Sequence, residues 1–309
     1  MGDELSGAQY GLVAGDYRAT VTEAGAGLRE LTHRGEPLIL SYGVDEPAPA
    51  AFGQLLVPWP NRVDRGRYAF DGAEHQPDIS EPELDCAIHG LVRWASWIPV
   101  EQSADRITPA YRLYGSAGYP FRLSLTAEYA LDARTGLTVR LTATNTGARS
   151  APYAHGTRPY PTVGEAVDVR TLRLPGRRYQ PVDARMVPSG PTVDVADTPH
   201  DFTAGRLLKD QTIDVAFTEL DRDADGRAWV GLEGTLRGVR FWSDTAQPWL
   251  EVYTADRVPV DNRRRGLGVE PMTAPSNALA SGIDLIRLAS GESYVGSWGF
   301  MTGPTTPAA

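Results

Sequence analysis

The sequence predicts an all-β protein, built as a large antiparallel β-sandwich. Glycine (32) and proline (24) are abundant and evenly spread, which favours many short elements separated by turns. Segments in which apolar and polar side chains alternate recur along the whole chain, as half-buried strands require. No window longer than about ten residues keeps a helical stripe. Residues 1–309 are therefore predicted to form one domain, with a tail at about 302–309 that frays.

The strands follow one another with turn residues between them. In chain order, strands are predicted at residues 17–24, 28–32, 37–40, 123–131, 136–145, 238–243, 249–254, 282–288 and 294–300. The clearest is 136–145, in which Leu137, Val139 and Leu141 fall on one face and polar residues on the other. Residues 132–136 join it to the preceding strand as a hairpin.

Composition and charge limit the classes of function. Acidic residues outnumber basic ones by 39 to 30, and the run Arg263–Arg265 is too short to grip a phosphate backbone, so nucleic acid is not expected as a partner. The single cysteine, Cys86, cannot form an internal disulfide. No charged-then-apolar leader opens the sequence, and no apolar run approaches the ~20 residues of a membrane span. A cytoplasmic protein without membrane contact is expected.

A glutamate near the C-terminus is the leading candidate for chemistry. Glu270 stands between Val269 and Pro271 in the segment NRRRGLGVEPM at residues 262–272. Because the residue before a proline is pushed towards extended backbone, Glu270 is predicted at a strand end, facing a cleft. The alternative is a surface carboxylate paired with an arginine, since most glutamates are exposed.

Other polar residues accompany it in the sequence. Asn61 and Arg62 follow a proline-rich loop and together offer many donors and one acceptor, which suits recognition of hydroxyls or carboxylates. His89 precedes a glycine, where other backbone or a ligand can approach closely. Asp214 lies within an apolar run and can equally be a turn or cap residue. No His, Cys and Asp cluster has metal-ligand spacing, and no glycine-rich loop suggests a nucleotide. Neither a metal nor a cofactor is expected.

Taken in order, these motifs resemble the aldose 1-epimerase (mutarotase) family, most closely its actinobacterial-type branch. The similarity runs from about residue 11 to residue 300. The matching segments are PNRV at 60–63, GRYAFDG at 66–72, AIHGLVRW at 87–94, APY at 151–153, PY at 159–160, DVAFTEL at 214–220, VYTAD at 252–256 and GVEPMTAPSN at 268–277. The resemblance implies a galactose mutarotase-like β-supersandwich with an open cleft for a free sugar.

The resemblance also implies roles for individual residues. The glutamate matched by Glu270 takes the proton from the anomeric hydroxyl, and a histidine protonates the ring oxygen. The ring opens, the C1–C2 bond turns, and the ring closes on the other face. His89 matches a residue that helps to hold the ring, Asn61 and Arg62 match residues that bind hydroxyls, and Asp214 matches one that binds the sugar. From their own chemistry, Trp59 is a candidate stacking platform, and the hydroxyl of Tyr160 needs a partner in protein or ligand.

One position departs from the family pattern. The proton-donating histidine normally stands directly before Pro-Tyr, where this sequence has Arg158, and the nearest histidine is His155. Arginine keeps its proton at any working pH and is a poor acid, although it can hold an oxyanion. In an extended chain, a three-residue offset is ~10 Å and reverses the face, so His155 can replace the acid only if the loop folds back.

Three functions remain open at this stage. In the first, the protein is a working mutarotase with His89 or His155 as the acid. Alternatively, Glu270 and Arg158 catalyse proton transfer, such as isomerisation, elimination or cyclisation, on a non-sugar or anionic substrate in specialised metabolism. The third possibility is an inactive carbohydrate-binding relative. In each case the partner is a small molecule, and the chain is expected to be a monomer or a homodimer.

Overall fold

A computed structural model describes residues 4–303 of the chain, and strands dominate this part. Residues 304–309 of the tail predicted to fray lie outside the described residues, whereas Thr302 ends the last strand. The strands are β1 (Gln9–Ala14), β2 (Tyr17–Thr22), β3 (Leu28–His33), β4 (Glu36–Pro37), β5 (Leu55–Leu56), β6 (Arg62–Asp64), β7 (Tyr68–Phe70), β8 (Ala73–His75), β9 (Cys86–Ile88), β10 (Ile98–Gln102), β11 (Arg106–Leu113), β12 (Leu123–Asp132), β13 (Gly136–Asn145), β14 (Ala151–Tyr153), β15 (Gly156–Thr157), β16 (Thr171–Arg173), β17 (Gly176–Tyr179), β18 (Val193–Asp194), β19 (Arg206–Leu207), β20 (Asp214–Leu220), β21 (Ala228–Glu233), β22 (Gly238–Ser243), β23 (Trp249–Tyr253), β24 (Gly268–Met272), β25 (Ile286–Leu288) and β26 (Ser293–Thr302). The helical elements are the 3₁₀ turns Pro49–Ala51, Pro82–Leu84, Val167–Val169 and Val260–Asn262, and the short helix α1 (Ala278–Ser281).

Two large antiparallel sheets form the framework, which confirms the all-β prediction. The larger has nine strands in the order β10-β11-β12-β13-β26-β22-β21-β16-β19. The other has seven in the order β18-β17-β20-β23-β24-β15-β5. Buried apolar residues from both sheets belong to one hydrophobic cluster.

The strongest sequence pattern gives the most regular part of the fold. Strands β12 and β13 pair in an unbroken hairpin register from Leu123 opposite Asn145 to Asp132 opposite Gly136. Leu137, Val139 and Leu141 are buried, because the two-residue period keeps them on the face that contacts the core.

Two predicted strands are largely wrong. At residues 37–40 only Pro37 belongs to a strand, the two-residue β4. Residues 282–288 contribute only β25 at their end, because Gly282 (φ 76°) and Asp284 (φ 49°) have left-handed backbone that breaks an extended chain. Helix α1 occupies the residues just before them.

The two faces of the seven-stranded sheet differ in chemistry. In β23 and β24, Leu250, Val252 and Val269 belong to the hydrophobic core. The residues that alternate with them, Glu251 and Glu270, therefore point to the opposite face. That face carries the polar groups of the candidate site.

In residues 4–303, no helix is both long enough and apolar enough to cross a membrane.

Candidate active site

Three carboxyl groups lie on one face of the seven-stranded sheet. Glu251 of β23 is directly opposite Glu270 of β24, and Ala216 of β20 is opposite Glu251 on its other side. Asp214 is two residues before Ala216, so its side chain leaves the sheet on the same face. Glu270 is the third residue of a five-residue strand and is fully buried, with 0% exposure. The predictions of a strand-end position and, alternatively, of a surface carboxylate are therefore wrong.

Arg158 pairs directly with the buried glutamate. Its Nη1 lies 2.8 Å from Oε1 of Glu270, and its Nε donates a hydrogen bond to the Tyr160 hydroxyl at 2.9 Å. The ion pair is close, but within residues 4–303 neither oxygen of Glu270 accepts a hydrogen bond of good geometry. Both oxygens therefore keep lone pairs with which to accept a proton from a bound molecule.

His89 and Asn61 are joined by one backbone contact and one contact to the His89 ring. The His89 N–H donates to the Asn61 carbonyl at 2.9 Å, and the Asn61 N–H donates to Nδ1 of His89 at 3.2 Å. Both residues have left-handed backbone, with φ of 63° and 52°. Such conformations are uncommon for residues other than glycine and concentrate at functional sites. The following Gly90 is required, because a Cβ there would lie 2.1 Å from the Val57 carbonyl oxygen.

Both ring nitrogens of His89 face N–H donors. Besides the Asn61 N–H at Nδ1, Nη1 of Arg158 lies 2.8 Å from Nε2, and a guanidinium can only donate. A neutral imidazole carries one N–H, so it can accept from only one of these two donors at a time. A ligand oxygen that accepts from Nη1 in place of Nε2 would leave Asn61 donating to Nδ1 and the proton of His89 on Nε2.

Arg62 is fixed at the edge of the same site. It binds Glu81 through two hydrogen bonds of 2.6 and 2.9 Å, and its Nη1 donates to the Asn61 side-chain oxygen at 3.3 Å. The Arg62 carbonyl accepts from the backbone N–H of Asn277 at 2.6 Å, which ties β6 to the segment that follows β24. A bidentate guanidinium–carboxylate pair has a defined geometry, so Arg62 is well oriented.

A cavity of about 380 Å³ brings most of the predicted site residues together. Five of them line it: Asn61, Arg62, His89, Arg158 and Asp214. Glu270 contacts this group through Arg158. Larger hollows of about 520, 590 and 600 Å³ lie elsewhere and include none of the predicted residues.

The remaining predicted residues lie outside this cavity. His155 is fully buried between the Tyr153 hydroxyl, at 3.0 Å from Nδ1, and the Gln247 amide, at 3.2 Å from Nε2. Trp59 belongs to the hydrophobic core. His155 and Trp59 were both predicted to contact substrate, and their buried positions outside the cavity do not agree with that prediction. Tyr160 is also buried and acts on the site through its hydroxyl, which accepts from Arg158.

Sequence reasoning missed three residues of the site. Glu81 binds Arg62, and Arg93 lines the cavity. Glu251 lies 4% exposed beside Glu270. The signal for Glu251 was a carboxylate within the apolar strand segment WLEVY, the same kind of signal that pointed to Asp214.

Burial changes the proton affinity of the acids. It raises the pKa of Glu270 to about 7, although the Arg158 cation lowers it. Burial also raises the pKa of Asp214, against the cations of Arg158 and Arg62. For Glu251, burial raises the pKa well above its ordinary value, and the charges of Asp214 and Glu270 add to the effect. The raised pKa of Glu251 favours its protonated form, and Glu270, with a pKa of about 7, is able to exchange a proton near neutral pH.

Burial acts in the opposite direction on the basic groups. It lowers the pKa of His89 well below its ordinary value, and the Arg158 cation lowers it further, so His89 is neutral. Burial also lowers the pKa of Arg158, but the charge of Glu270 and the Tyr160 hydroxyl outweigh this, and the pKa is raised overall. Arg158 is a permanent cation in this site.

Comparison with known proteins places the chain in a family. The profile of the family described as aldose 1-epimerase matches residues 9–300, which is nearly the whole chain. The chain belongs to the aldose 1-epimerase family. Its similarity to an uncharacterized Escherichia coli K12 protein, YihR, is 36% identity over 291 residues, covering 94% of this chain and 91% of that protein.

Solved structures agree with this aldose 1-epimerase assignment at the level of fold. A GalM/aldose epimerase homologue from C. elegans superposes with a TM-score of 0.87 at 18% identity, over 97% of this chain and 99% of that one. A galactose 1-epimerase from Lactobacillus acidophilus gives a TM-score of 0.79 at 21% identity, over 94% and 92% of the two chains. The predicted mutarotase-like fold is confirmed.

Proposed function

We propose that the protein interconverts the anomers of a free aldose, with Glu270 as the base. The observation that carries the proposal is the position of Glu270, a buried carboxylate without hydrogen bonds from residues 4–303, beside the guanidinium of Arg158 and the ring of His89 that Arg158 contacts. A pKa of about 7 suits a group that takes and returns a proton near neutral pH. The family and the galactose 1-epimerase fold support the same reaction.

The reaction starts at the anomeric hydroxyl. Glu270 takes the proton of the O1 hydroxyl while the C1–O5 bond breaks and C1 becomes a carbonyl. O5 replaces Nε2 of His89 as the acceptor for the guanidinium of Arg158, takes the proton that His89 then carries on Nε2, and remains close to the Arg158 cation. Rotation about C1–C2 presents the other face of the carbonyl. The reverse proton transfers then close the ring as the other anomer.

Neutral histidine has a defined part in this scheme. Arg158 holds its proton too strongly to give it up, since its pKa is raised. A neutral imidazole can act as an electrophile and hydrogen-bond donor, and its lowered pKa favours this form. The adjacent cation offsets the negative charge that develops on the ring oxygen or on the imidazole.

Polar groups at the cavity wall would orient the sugar. Asn61, Arg62 and Asp214 line the cavity and offer donors and acceptors for ring hydroxyls. Such contacts restrict the sugar to one placement against Glu270, which lowers the entropic part of the barrier.

The direct test is the exchange between α and β anomers. Freshly dissolved α-D-glucose and α-D-galactose are followed by polarimetry, and equilibrated sugars by NMR exchange spectroscopy, at micromolar protein. The proposal expects exchange faster than in buffer for at least one free aldose. It is wrong if a panel of neutral and acidic aldoses exchanges no faster than in buffer, in which case an inactive carbohydrate-binding relative becomes the better description.

A second function is favoured by Arg158 itself. Arg158 is a permanent cation beside Glu270, a base with a pKa of about 7. This pair also suits proton abstraction next to a carbonyl or carboxylate in a substrate other than a sugar. Arg158→His separates the two functions. Replacement should raise or preserve anomer exchange if the site needs an acid at this position, and should abolish activity if the cation holds an anionic substrate.

A further inference from the structure

The arginines that line the cavity are not all matched by acids. Arg62 pairs with Glu81, and Arg158 pairs with Glu270. Arg93 and Arg257 also line the cavity, and within residues 4–303 neither forms an ion pair. The cavity therefore contains cationic groups that its own acids do not bind directly.

Arg93 is the more constrained of the two. Its Nε is buried without a hydrogen-bond partner in the described part of the chain, and its Nη2 makes only a 3.5 Å contact with the Ile88 carbonyl. Burial, together with the nearby Arg158 cation, lowers the pKa of Arg93 to about 10. A partly desolvated cation next to a like charge is unfavourable unless an anion offsets it.

The reaction geometry indicates which part of a sugar would meet Arg93. This step depends on the proposed function, in which O5 of the ring contacts both His89 and Arg158. C5 is bonded to O5 and carries C6, so a substituent on C6 extends from this side of the ring. Arg93 acts electrostatically on both His89 and Arg158, which places its charge near the same side.

We propose that the preferred substrate is an aldose with an anionic group on C6, held by Arg93 with help from Arg257. A planar guanidinium binds carboxylate and phosphate groups through two parallel hydrogen bonds. Arg257 is exposed and lines the cavity, so it is free to approach an anion as the sugar binds. The anion would supply the ionic partner that Arg93 does not have among residues 4–303.

The experiment compares matched sugars by NMR exchange spectroscopy on the full chain. D-glucuronate carries a carboxylate at C6, D-glucose 6-phosphate carries a phosphate there, and D-glucose and the methyl ester of D-glucuronate are neutral controls. We expect kcat/KM for one acidic sugar to exceed that for both neutral sugars by about 10- to 100-fold, as charged hydrogen bonds allow. The better of the two acidic sugars identifies carboxylate or phosphate as the bound group.

Variants test whether Arg93 causes the preference. Arg93→Gln should remove most of the difference between acidic and neutral sugars, and Arg257→Gln should reduce it. Arg134→Gln, on an exposed hairpin residue outside the cavity, is the matched control and should leave the preference unchanged. Equal rates for acidic and neutral sugars, or a preference that survives Arg93→Gln, would overturn the proposal.

Binding separates failure of this proposal from failure of the proposed function. If no sugar exchanges faster than in buffer, catalysis is excluded, and the anion site is then decided by tryptophan fluorescence titration. Tighter binding of D-glucuronate or D-glucose 6-phosphate than of D-glucose, lost in Arg93→Gln, supports the site. Equal binding, or no binding of any of them, overturns it.

Discussion

Glu251 and Glu270 lie directly opposite one another in the antiparallel pair β23–β24, and both are buried on the same face of the sheet. Two acids in such positions oppose each other's ionisation. Arg158 forms an ion pair with Glu270, at 2.8 Å, and so favours ionisation of Glu270 over that of Glu251. The arrangement assigns the negative charge to the residue that we propose as the base.

Removing the base should abolish anomer exchange. We expect Glu270→Gln to lower kcat by about 10²- to 10⁴-fold, the range typical of general base catalysis. Glu74→Gln, on the exposed face of β8, is the control and should keep full activity. Circular dichroism of both variants checks that they fold. Near-normal exchange by a folded Glu270→Gln protein would contradict the role of Glu270.

The pH profile should report the ionisation of Glu270. Since the base must be ionised, activity should rise as the pH increases through about 7 and should be lost below it. Arg158 lowers this pKa, so Arg158→Met should move the rise to higher pH and reduce the rate at neutral pH. The measurement is kcat/KM for anomer exchange against pH in both proteins. A rise at the same pH in both would show that Arg158 does not control the base.

Glu251 should affect stability in a direction that depends on pH. Its pKa is raised above the ordinary 4.5, so its contribution to stability is complete below about pH 4.5 and is lost as the pH rises towards the folded-state pKa. Glu251→Gln resembles the protonated form and does not have this loss. We expect the stability of the variant relative to the unsubstituted protein to rise as the pH increases above about 5, by at most about 1.4 kcal/mol per pH unit.

Urea unfolding at several pH values measures that difference. Glu74→Gln, on the exposed face of β8, controls for removal of an exposed carboxylate by the same substitution. A constant difference between Glu251→Gln and the unsubstituted protein across this pH range would mean that Glu251 is ionised in the folded state.

His155 should prove to be structural. Burial lowers its pKa to about 3, and its ring nitrogens lie near the Tyr153 hydroxyl and the Gln247 amide. We expect His155→Leu to reduce the free energy of unfolding by about 1–3 kcal/mol, because buried polar partners lose their hydrogen bonds. Exchange activity per folded molecule should remain. A folded variant without activity would restore His155 as a candidate acid.

Acid should weaken the same contact. The folded protein keeps His155 neutral, whereas the unfolded chain binds a proton near the ordinary pKa of 6.5. The stability from His155 is therefore present above about pH 6.5 and is lost as the pH falls towards about 3. In urea unfolding, His155→Leu should lose less stability than the unsubstituted protein between these pH values. Equal losses would indicate that His155 is not held neutral.

The predictable part of the fold was the part governed by local periodicity. In β13, every second residue is apolar, and the structure buries those residues. Around residues 282–288 the same kind of pattern predicted a strand that is largely absent, because left-handed backbone at Gly282 and Asp284 interrupts the extended chain. Periodicity describes which face is apolar, but turns depend on backbone angles that side-chain alternation does not reveal.

The residues alone were enough to predict the fold class, the family resemblance and the chemical groups of the site, including Glu270, His89, Asn61, Arg62, Asp214 and Arg158. Which of these groups meet depends on the tertiary structure. It pairs Arg158 with Glu270, puts Glu251 opposite Glu270 and keeps His155 in the core. The physical reason is that strand register and loop closure join residues far apart in the chain, and the resulting burial sets their charges.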